Sequence, residues 1–97
     1  MDINVTELKQ RLDAGETPIL IDVREPHEYE EYNIGARLIP LGDIPTQLAS
    51  LAGKENEEII IHCRSGKRSA AAQRFLQQQG FTNVRNLEGG MLAYQKL

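Results

Sequence analysis

The middle of the chain reads Ile59-Ile60-Ile61-His62-Cys63-Arg64-Ser65-Gly66-Lys67-Arg68-Ser69, an apolar run that leads into a basic loop. Three consecutive isoleucines predict a strand that is buried on both faces. Residues 70–79 are rich in alanine, leucine and glutamine and predict a helix. Cys63 therefore lies between a central strand and a helix N-terminus, where free N–H groups and a partial positive charge favour a reactive thiolate.

The composition indicates one globular domain over residues 1–97, because the chain is short and has no internal repeat. The net charge of −3 argues against binding to nucleic acid or to a membrane surface. Arg64, Lys67 and Arg68 nevertheless place three positive charges near the cysteine. This local concentration of cations predicts a site for a small anion.

The single cysteine excludes an internal disulfide, a dithiol cycle and a cysteine-rich metal site. His27 and His62 show no ligand spacing, so we expect neither a metal nor another cofactor. No signal-peptide pattern and no apolar run of bilayer length is visible, so a cytoplasmic location is expected. The sequence does not indicate an oligomeric state.

Along the chain, strand patterns alternate with helix patterns, which predicts an α/β fold with a mainly parallel sheet and helices on both faces. Asn4 is expected to cap the first helix, Pro26 to begin a short second one, and Asp43 to cap a third. After the basic loop, Gly80 and Phe81 fit the C′ and C″ positions of a Schellman stop. The other predicted strands cover residues 18–23, 36–39 and 84–87.

The chemistry of the loop is best suited to attack by a thiolate on a sulfur atom. His62 adjoins Cys63, and adjacent strand side chains point to opposite faces, so a protease-like Cys–His pair is not expected. Displacement at sulfur needs no general acid when the leaving group is a stable anion. Ser65 and Ser69 are expected to form loop hydrogen bonds and to cap the helix. Gly66 is expected to provide a backbone conformation or a close approach that is open to glycine.

The end of the strand predicted over residues 18–23 supplies two further candidates, Asp22 and Arg24. They are expected to pair with each other or to brace the loop. A catalytic carboxylate next to the thiolate is not expected, because its charge would oppose ionisation of the sulfur.

Three segments together resemble a single-domain rhodanese. They are Ile21-Asp22-Val23-Arg24-Glu25-Pro26, the Cys63 to Ser69 loop, and Leu87-Glu88-Gly89-Gly90. The resemblance implies a rhodanese-like three-layer α/β/α fold with about five strands. It also implies transfer of sulfur from a donor such as thiosulfate, through a Cys63 persulfide, to cyanide or an external thiol, which can belong to a protein.

The resemblance further implies that Arg68 faces back into the loop and that Gly89 and Gly90 form a pocket wall. Asn33 stands where the family often has histidine, and Tyr94 where it often has tryptophan; both look like tolerated changes.

Loop length separates this chain from phosphatases that share the fold. In the similar loop of those enzymes, five residues separate the cysteine from the arginine. Here only four separate Cys63 from Arg68, and Ser69 is the sixth residue after Cys63. The tighter ring favours a single sulfur atom over a phosphate, although a phosphatase or arsenate reductase stays an alternative. A further alternative is a sulfur-carrier or protein-binding module that receives its persulfide from a partner, because its loop would look the same.

Overall fold

The computed structural model describes residues 1–97 and contains one parallel sheet of four strands. The strands are β1 (Ile19–Asp22), β2 (Arg37–Leu38), β3 (Ile59–His62) and β4 (Val84–Asn86), and their order across the sheet is β2-β1-β3-β4. The helices are α1 (Val5–Asp13), α2 (Pro26–Glu31), α3 (Ile44–Gln47), α4 (Lys67–Gln78) and α5 (Gly90–Tyr94). None of them has the length and apolarity that a membrane-spanning helix requires. The predicted α/β class with a parallel sheet is confirmed.

Helices cover both faces of the sheet and create two separate cores. One core contains Ile61 of β3 and Leu76 of α4. The other contains Ile60 of β3 together with Leu8 of α1 and Met91 of α5. Consecutive residues of β3 point into different cores because side chains alternate along an extended strand. All four residues of β3 are buried, as its continuous apolar run predicts for a central parallel strand.

The sheet has one strand fewer than the expected number of about five. In the fifth place there is only an isolated parallel bridge between Ile3 and Leu87, beside β4. The Ile3 N–H donates to the Asn86 carbonyl at 3.0 Å. Pairing stops there because Asn4 is already the N-cap of α1, with its side-chain oxygen 2.8 Å from the Glu7 nitrogen.

The end of α4 confirms the predicted Schellman stop. Gly80 has a φ of +96°, which a residue with a side chain rarely adopts. The Phe81 N–H donates to the Leu76 carbonyl at 3.1 Å. Phe81 and Leu76 are both buried and belong to the same core.

Asp43 stands at the predicted N-cap position of α3, but the capping contact expected there does not form. Its side chain makes no capping hydrogen bond, and α3 is flanked by the two 3-10 turns Leu41–Asp43 and Leu48–Leu51. Asp43 closes the first of these turns with φ −95° and ψ −7°. A side-chain N-cap requires extended backbone at that position, and the preceding turn excludes it.

His62, the last residue of β3, is a fully buried imidazole without a hydrogen-bond partner on either ring nitrogen. Its Nδ1 lies 3.9 Å from Oδ2 of Asp22, which is beyond hydrogen-bond distance. Burial lowers the pKa of His62 to about 4, although the Asp22 charge acts in the opposite direction. The ring is therefore neutral at neutral pH.

We expect the wild type to lose stability on mild acidification because of His62, and we expect His62→Leu not to show this loss. The unfolded imidazole takes up its proton near pH 6.5 and the folded one only near pH 4. Between these values the unfolded state binds more protons, so the free energy of unfolding falls as the pH is lowered. The total loss is about 3 kcal/mol at about 1.4 kcal/mol per pKa unit. Urea unfolding in steps from about pH 7 to about pH 4 measures it.

The matched control for this experiment is His27→Gln, which changes an exposed imidazole and should keep the wild-type slope. Carboxylates that are paired with arginine affect the free energy of unfolding at lower pH, because the pKa of Glu28 and that of Glu58 lie at about 2. Their contribution is complete above about pH 4.5 and is lost as the pH falls towards 2. A wild-type slope retained in His62→Leu would contradict the assignment.

Candidate active site

The structure places Cys63 directly after β3, at the point where the loop of residues 64–66 leads into α4. Its Sγ accepts hydrogen bonds from the backbone N–H groups of Gly66 at 3.1 Å and of Ser69 at 3.4 Å. The Ser69 hydroxyl oxygen lies 3.3 Å from the same sulfur. The residue is only 1 % exposed, so these groups take the place of water around the sulfur.

The surroundings of the sulfur favour its ionised form. Burial raises the pKa of the Cys63 thiol, but hydrogen bonds from the Ser69 hydroxyl and from the loop N–H groups outweigh it. The net result is a pKa below the ordinary value of a cysteine. A cysteine in such a setting is a nucleophile, whereas a cysteine in a purely apolar core is inert.

The beginning of α5 holds the loop in the conformation that turns its N–H groups towards the sulfur. The Met91 N–H donates to the Cys63 carbonyl at 2.9 Å, and the Leu92 N–H donates to the Arg64 carbonyl at 3.0 Å. Gly90 makes this approach possible, because a Cβ there would lie 2.5 Å from the Cys63 carbonyl oxygen. Gly66 completes the bend with a φ of +103°.

Gly90 therefore lies against the carbonyls of Cys63 and Arg64, and the Gly89 nitrogen lies 3.8 Å from where a Cβ of Gly66 would stand. The neighbouring cavity of about 400 Å³, between α2 and α5, is lined by Arg24, Tyr32, Arg64 and Leu92 among others. Gly89 has a φ of +77°, and a Cβ there would lie 2.6 Å from the Cβ of Ala93.

Asn86 is a site residue that the sequence patterns did not reveal. It is the last residue of β4, which lies beside β3, and it is 8 % exposed. Its Nδ2 donates to the Gly66 carbonyl at 3.0 Å, and its Oδ1 accepts from the Ser69 hydroxyl at 2.6 Å. The available signal was that Asn86 is two residues from Val84 and therefore shares the buried face of the final strand with it.

The three cations near Cys63 have different environments. Arg64 and Lys67 are exposed, and neither forms an ion pair. Arg68 instead binds Glu28 of α2 through two hydrogen bonds of 2.7 and 2.9 Å. Hydrogen bonds from Arg68 lower the pKa of Glu28 to about 2, so the pair is fully ionised at neutral pH. This pair links α2 to the beginning of α4.

Asp22 and Arg24 form a second, buried ion pair at the end of β1. The Arg24 guanidinium donates to both oxygens of Asp22, at 2.8 to 3.1 Å. It also donates to the carbonyl of Tyr32 at 2.6 Å and to that of Glu28 at 3.3 Å. The pair therefore holds the end of α2, the helix that carries the partner of Arg68.

The chain is similar to known proteins along its whole length. The family model described as "Rhodanese-like domain" matches residues 4–97. The putative sulfurtransferase YtwF of Bacillus subtilis is 40% identical over 95 residues, which cover 97% of this chain and 89% of YtwF. The putative sulfur carrier protein YrkF of the same organism is 42% identical over 93% of this chain, which spans about half, 48%, of YrkF.

Two further matches concern a named activity and a solved structure. The thiosulfate sulfurtransferase PspE of Escherichia coli is 33% identical over 70 residues, or 71% of this chain and 67% of PspE. The crystal structure of a rhodanese-like domain protein from Staphylococcus aureus has 36% identity and a TM-score of 0.85, and covers 97% of this chain and 91% of its own. The chain therefore belongs to the rhodanese-like family of sulfurtransferases.

Proposed function

We propose that this protein is a thiosulfate sulfurtransferase that carries sulfur as a persulfide on Cys63. The convergence of two N–H groups and one hydroxyl on a single cysteine sulfur supports this proposal most strongly. These groups stabilise a negative charge on sulfur before any donor arrives, which is the preorganisation that a nucleophilic thiolate needs. The name of the relative PspE supports thiosulfate as the donor.

In the first half of the reaction, the Cys63 thiolate attacks the outer sulfur of thiosulfate. A bond forms between Sγ and that sulfur, the bond between the two thiosulfate sulfurs breaks, and its electron pair leaves with sulfite. No proton has to move, because sulfite is a stable anion. This agrees with the surroundings of Sγ, whose hydrogen-bond partners include neither a carboxylate nor an imidazole.

In the second half, an external nucleophile attacks the outer sulfur of the persulfide. Cyanide would take up this sulfur and become thiocyanate, and a thiolate would take it up and become a new persulfide. Cys63 departs as a thiolate in both cases. The acceptor lies outside the chain, because there is no second cysteine to resolve the persulfide. We place the reaction in a reducing compartment such as the cytoplasm, where such a free thiol persists.

Arg64 and Lys67 are the residues that we propose to attract the anionic end of the donor. Arg64 lies in the loop and Lys67 is the first residue of α4. Both are exposed, and neither has an ion-pair partner. Arg68 contributes less to this attraction, because Glu28 neutralises its charge through a bidentate contact. We assign Asp22 and Arg24 a supporting role, in which their buried pair holds α2 beside the loop.

A second candidate function is that of a sulfur carrier loaded by a protein partner. The neutralisation of Arg68 favours it, since a site for a small dianion would gain from a free guanidinium. The name of the relative YrkF also supports it. A phosphatase is less compatible with the loop, because only four residues separate Cys63 from Arg68 and the Arg68 guanidinium is held by Glu28.

Incubation with thiosulfate should add one sulfur atom to the intact mass of the protein, and cyanide should remove it. Cys63→Ser should show no such change, because the hydroxyl is a poor nucleophile without a base. Mass spectrometry of the intact chain measures both steps. Loading by a cysteine desulfurase but not by thiosulfate would select the carrier function, and hydrolysis of an aryl phosphate without sulfur transfer would select a phosphatase.

The alkylation rate of Cys63 should show a midpoint at a lower pH than that of a free cysteine peptide, about 8.5. The hydrogen bonds at Sγ lower the pKa of the thiol, and this is the only cysteine that can react. Iodoacetamide labelling across pH, followed by mass spectrometry, measures the midpoint. The same chain in urea is the matched control and should return to the peptide value. Equal midpoints in the folded and unfolded chains would contradict the proposed thiolate.

Removal of a loop cation should weaken the use of thiosulfate. We expect Arg64→Ala and Lys67→Ala each to raise KM for thiosulfate by about fivefold, as loss of about 1 kcal/mol from a solvated charge contact would do. Arg74→Ala is the matched control, because it removes an exposed, unpaired arginine from the outer side of α4. Steady-state kinetics with cyanide as acceptor give the values. Similar KM changes in all three variants would point to net charge alone and contradict specific roles for Arg64 and Lys67.

A further inference from the structure

The side chain of Asn86 contacts two of the residues that surround the sulfur without contacting the sulfur itself. Its Nδ2 donates to the Gly66 carbonyl, which orients the amide and leaves Oδ1 facing Ser69. Oδ1 can only accept hydrogen bonds. The Ser69 hydroxyl therefore has two neighbours that need its hydrogen, namely Oδ1 at 2.6 Å and Sγ at 3.3 Å.

A hydroxyl has one hydrogen and can satisfy only one of these neighbours at a time. While Cys63 carries its own proton, the hydrogen of Ser69 points to Asn86 and the thiol can donate to the Ser69 oxygen. Once the thiol has lost its proton to solvent, the sulfur needs a donor, and the hydrogen of Ser69 turns towards it. Oδ1 of Asn86 then loses a donor in a residue that is only 8 % exposed.

We propose that Asn86 is a positioning residue that competes with the Cys63 thiolate for the single hydrogen of Ser69. The competition makes ionisation of Cys63 harder than the loop alone would make it. This balance matters for the proposed function, on which the inference rests, because Cys63 must attack in one half of the reaction and depart in the other. A lower pKa improves a thiolate as a leaving group and weakens it as a nucleophile.

The loop is held by other contacts when Asn86 is removed. The Gly66 carbonyl still accepts from the Ala70 N–H at 3.0 Å, and α5 still binds the carbonyls of Cys63 and Arg64. The N–H groups that face the sulfur therefore stay in place in an Asn86 variant. The charged and titratable groups beside the loop are also unchanged in the variant. They include Asp2, which accepts from the Asn86 N–H, and further Asp22, Arg24, Glu28, Glu31, His62, Arg64, Lys67, Arg68, Arg85 and Tyr94.

The test is the pH dependence of Cys63 alkylation by iodoacetamide in the full chain. Asn86→Ala should lower the midpoint by about one pH unit, because Ser69 can then donate to the thiolate without competition. Its rate at high pH should fall about threefold, since nucleophilicity decreases with pKa. Ser69→Ala should raise the midpoint. The double variant should match Ser69→Ala, because no hydrogen is left to compete for.

One control and a second Asn86 variant separate this role from simple structural support. Val84→Ala truncates a buried side chain of the same strand, so it should lower the melting temperature and leave the midpoint unchanged. Asn86→Val carries the same expectation as Asn86→Ala, so that either variant suffices if the other fails to fold.

An unchanged or raised midpoint in the Asn86 variants would overturn the proposal, and so would additive effects in the double variant. Sulfur loading of the wild type is measured separately by intact mass. A wild type that takes up no sulfur would refute the proposed function, while the midpoint shifts would still decide the role of Asn86.

Discussion

The hydrogen bonds at Sγ of Cys63 are the interaction on which the site depends. A sulfur that is almost completely shielded from solvent can carry a charge only if protein donors replace water. Gly66 and Ser69 supply these donors at 3.1 to 3.4 Å, and they outweigh the cost of burial. Without them, Cys63 would be a small apolar residue of the core that contains Ile61 and Leu76.

The fold provides these donors by fixing the backbone of the loop from both sides. On one side, α5 binds the carbonyls of Cys63 and Arg64, which leaves the N–H groups of the loop free to face the sulfur. On the other side, β4 places Asn86 beside the loop because it pairs with β3. Glycine is required at position 90 because the two backbones approach so closely there. The parallel sheet thus brings three separate parts of the chain to one strand end.

Local features of the sequence predicted local structure well. The run from Ile59 to Ile61 indicated a central strand, and the junction after it indicated where Cys63 lies. Contacts between distant segments could not be predicted in this way. Arg68 and Glu28 are 40 residues apart, and Asn86 follows Ser69 by 17, so their pairing depends on which helices and strands become neighbours. Asp43 shows that a local feature can also mislead. It has the residue type and the position of an N-cap, but the preceding turn determines its backbone conformation and its side chain does not cap α3.

Charge alone does not account for the chemistry proposed for this loop. The protein carries a net charge of −3, and two arginines near the site are already paired with carboxylates, Arg24 with Asp22 and Arg68 with Glu28. The sulfur is contacted mainly by uncharged N–H and O–H dipoles. Fixed dipoles at contact distance act on the atom that they surround, whereas cations act over longer range on any anion. The dipoles around Sγ therefore stabilise the thiolate that attacks in one half of the proposed reaction and departs in the other, and Arg64 and Lys67 are left to attract the sulfur donor.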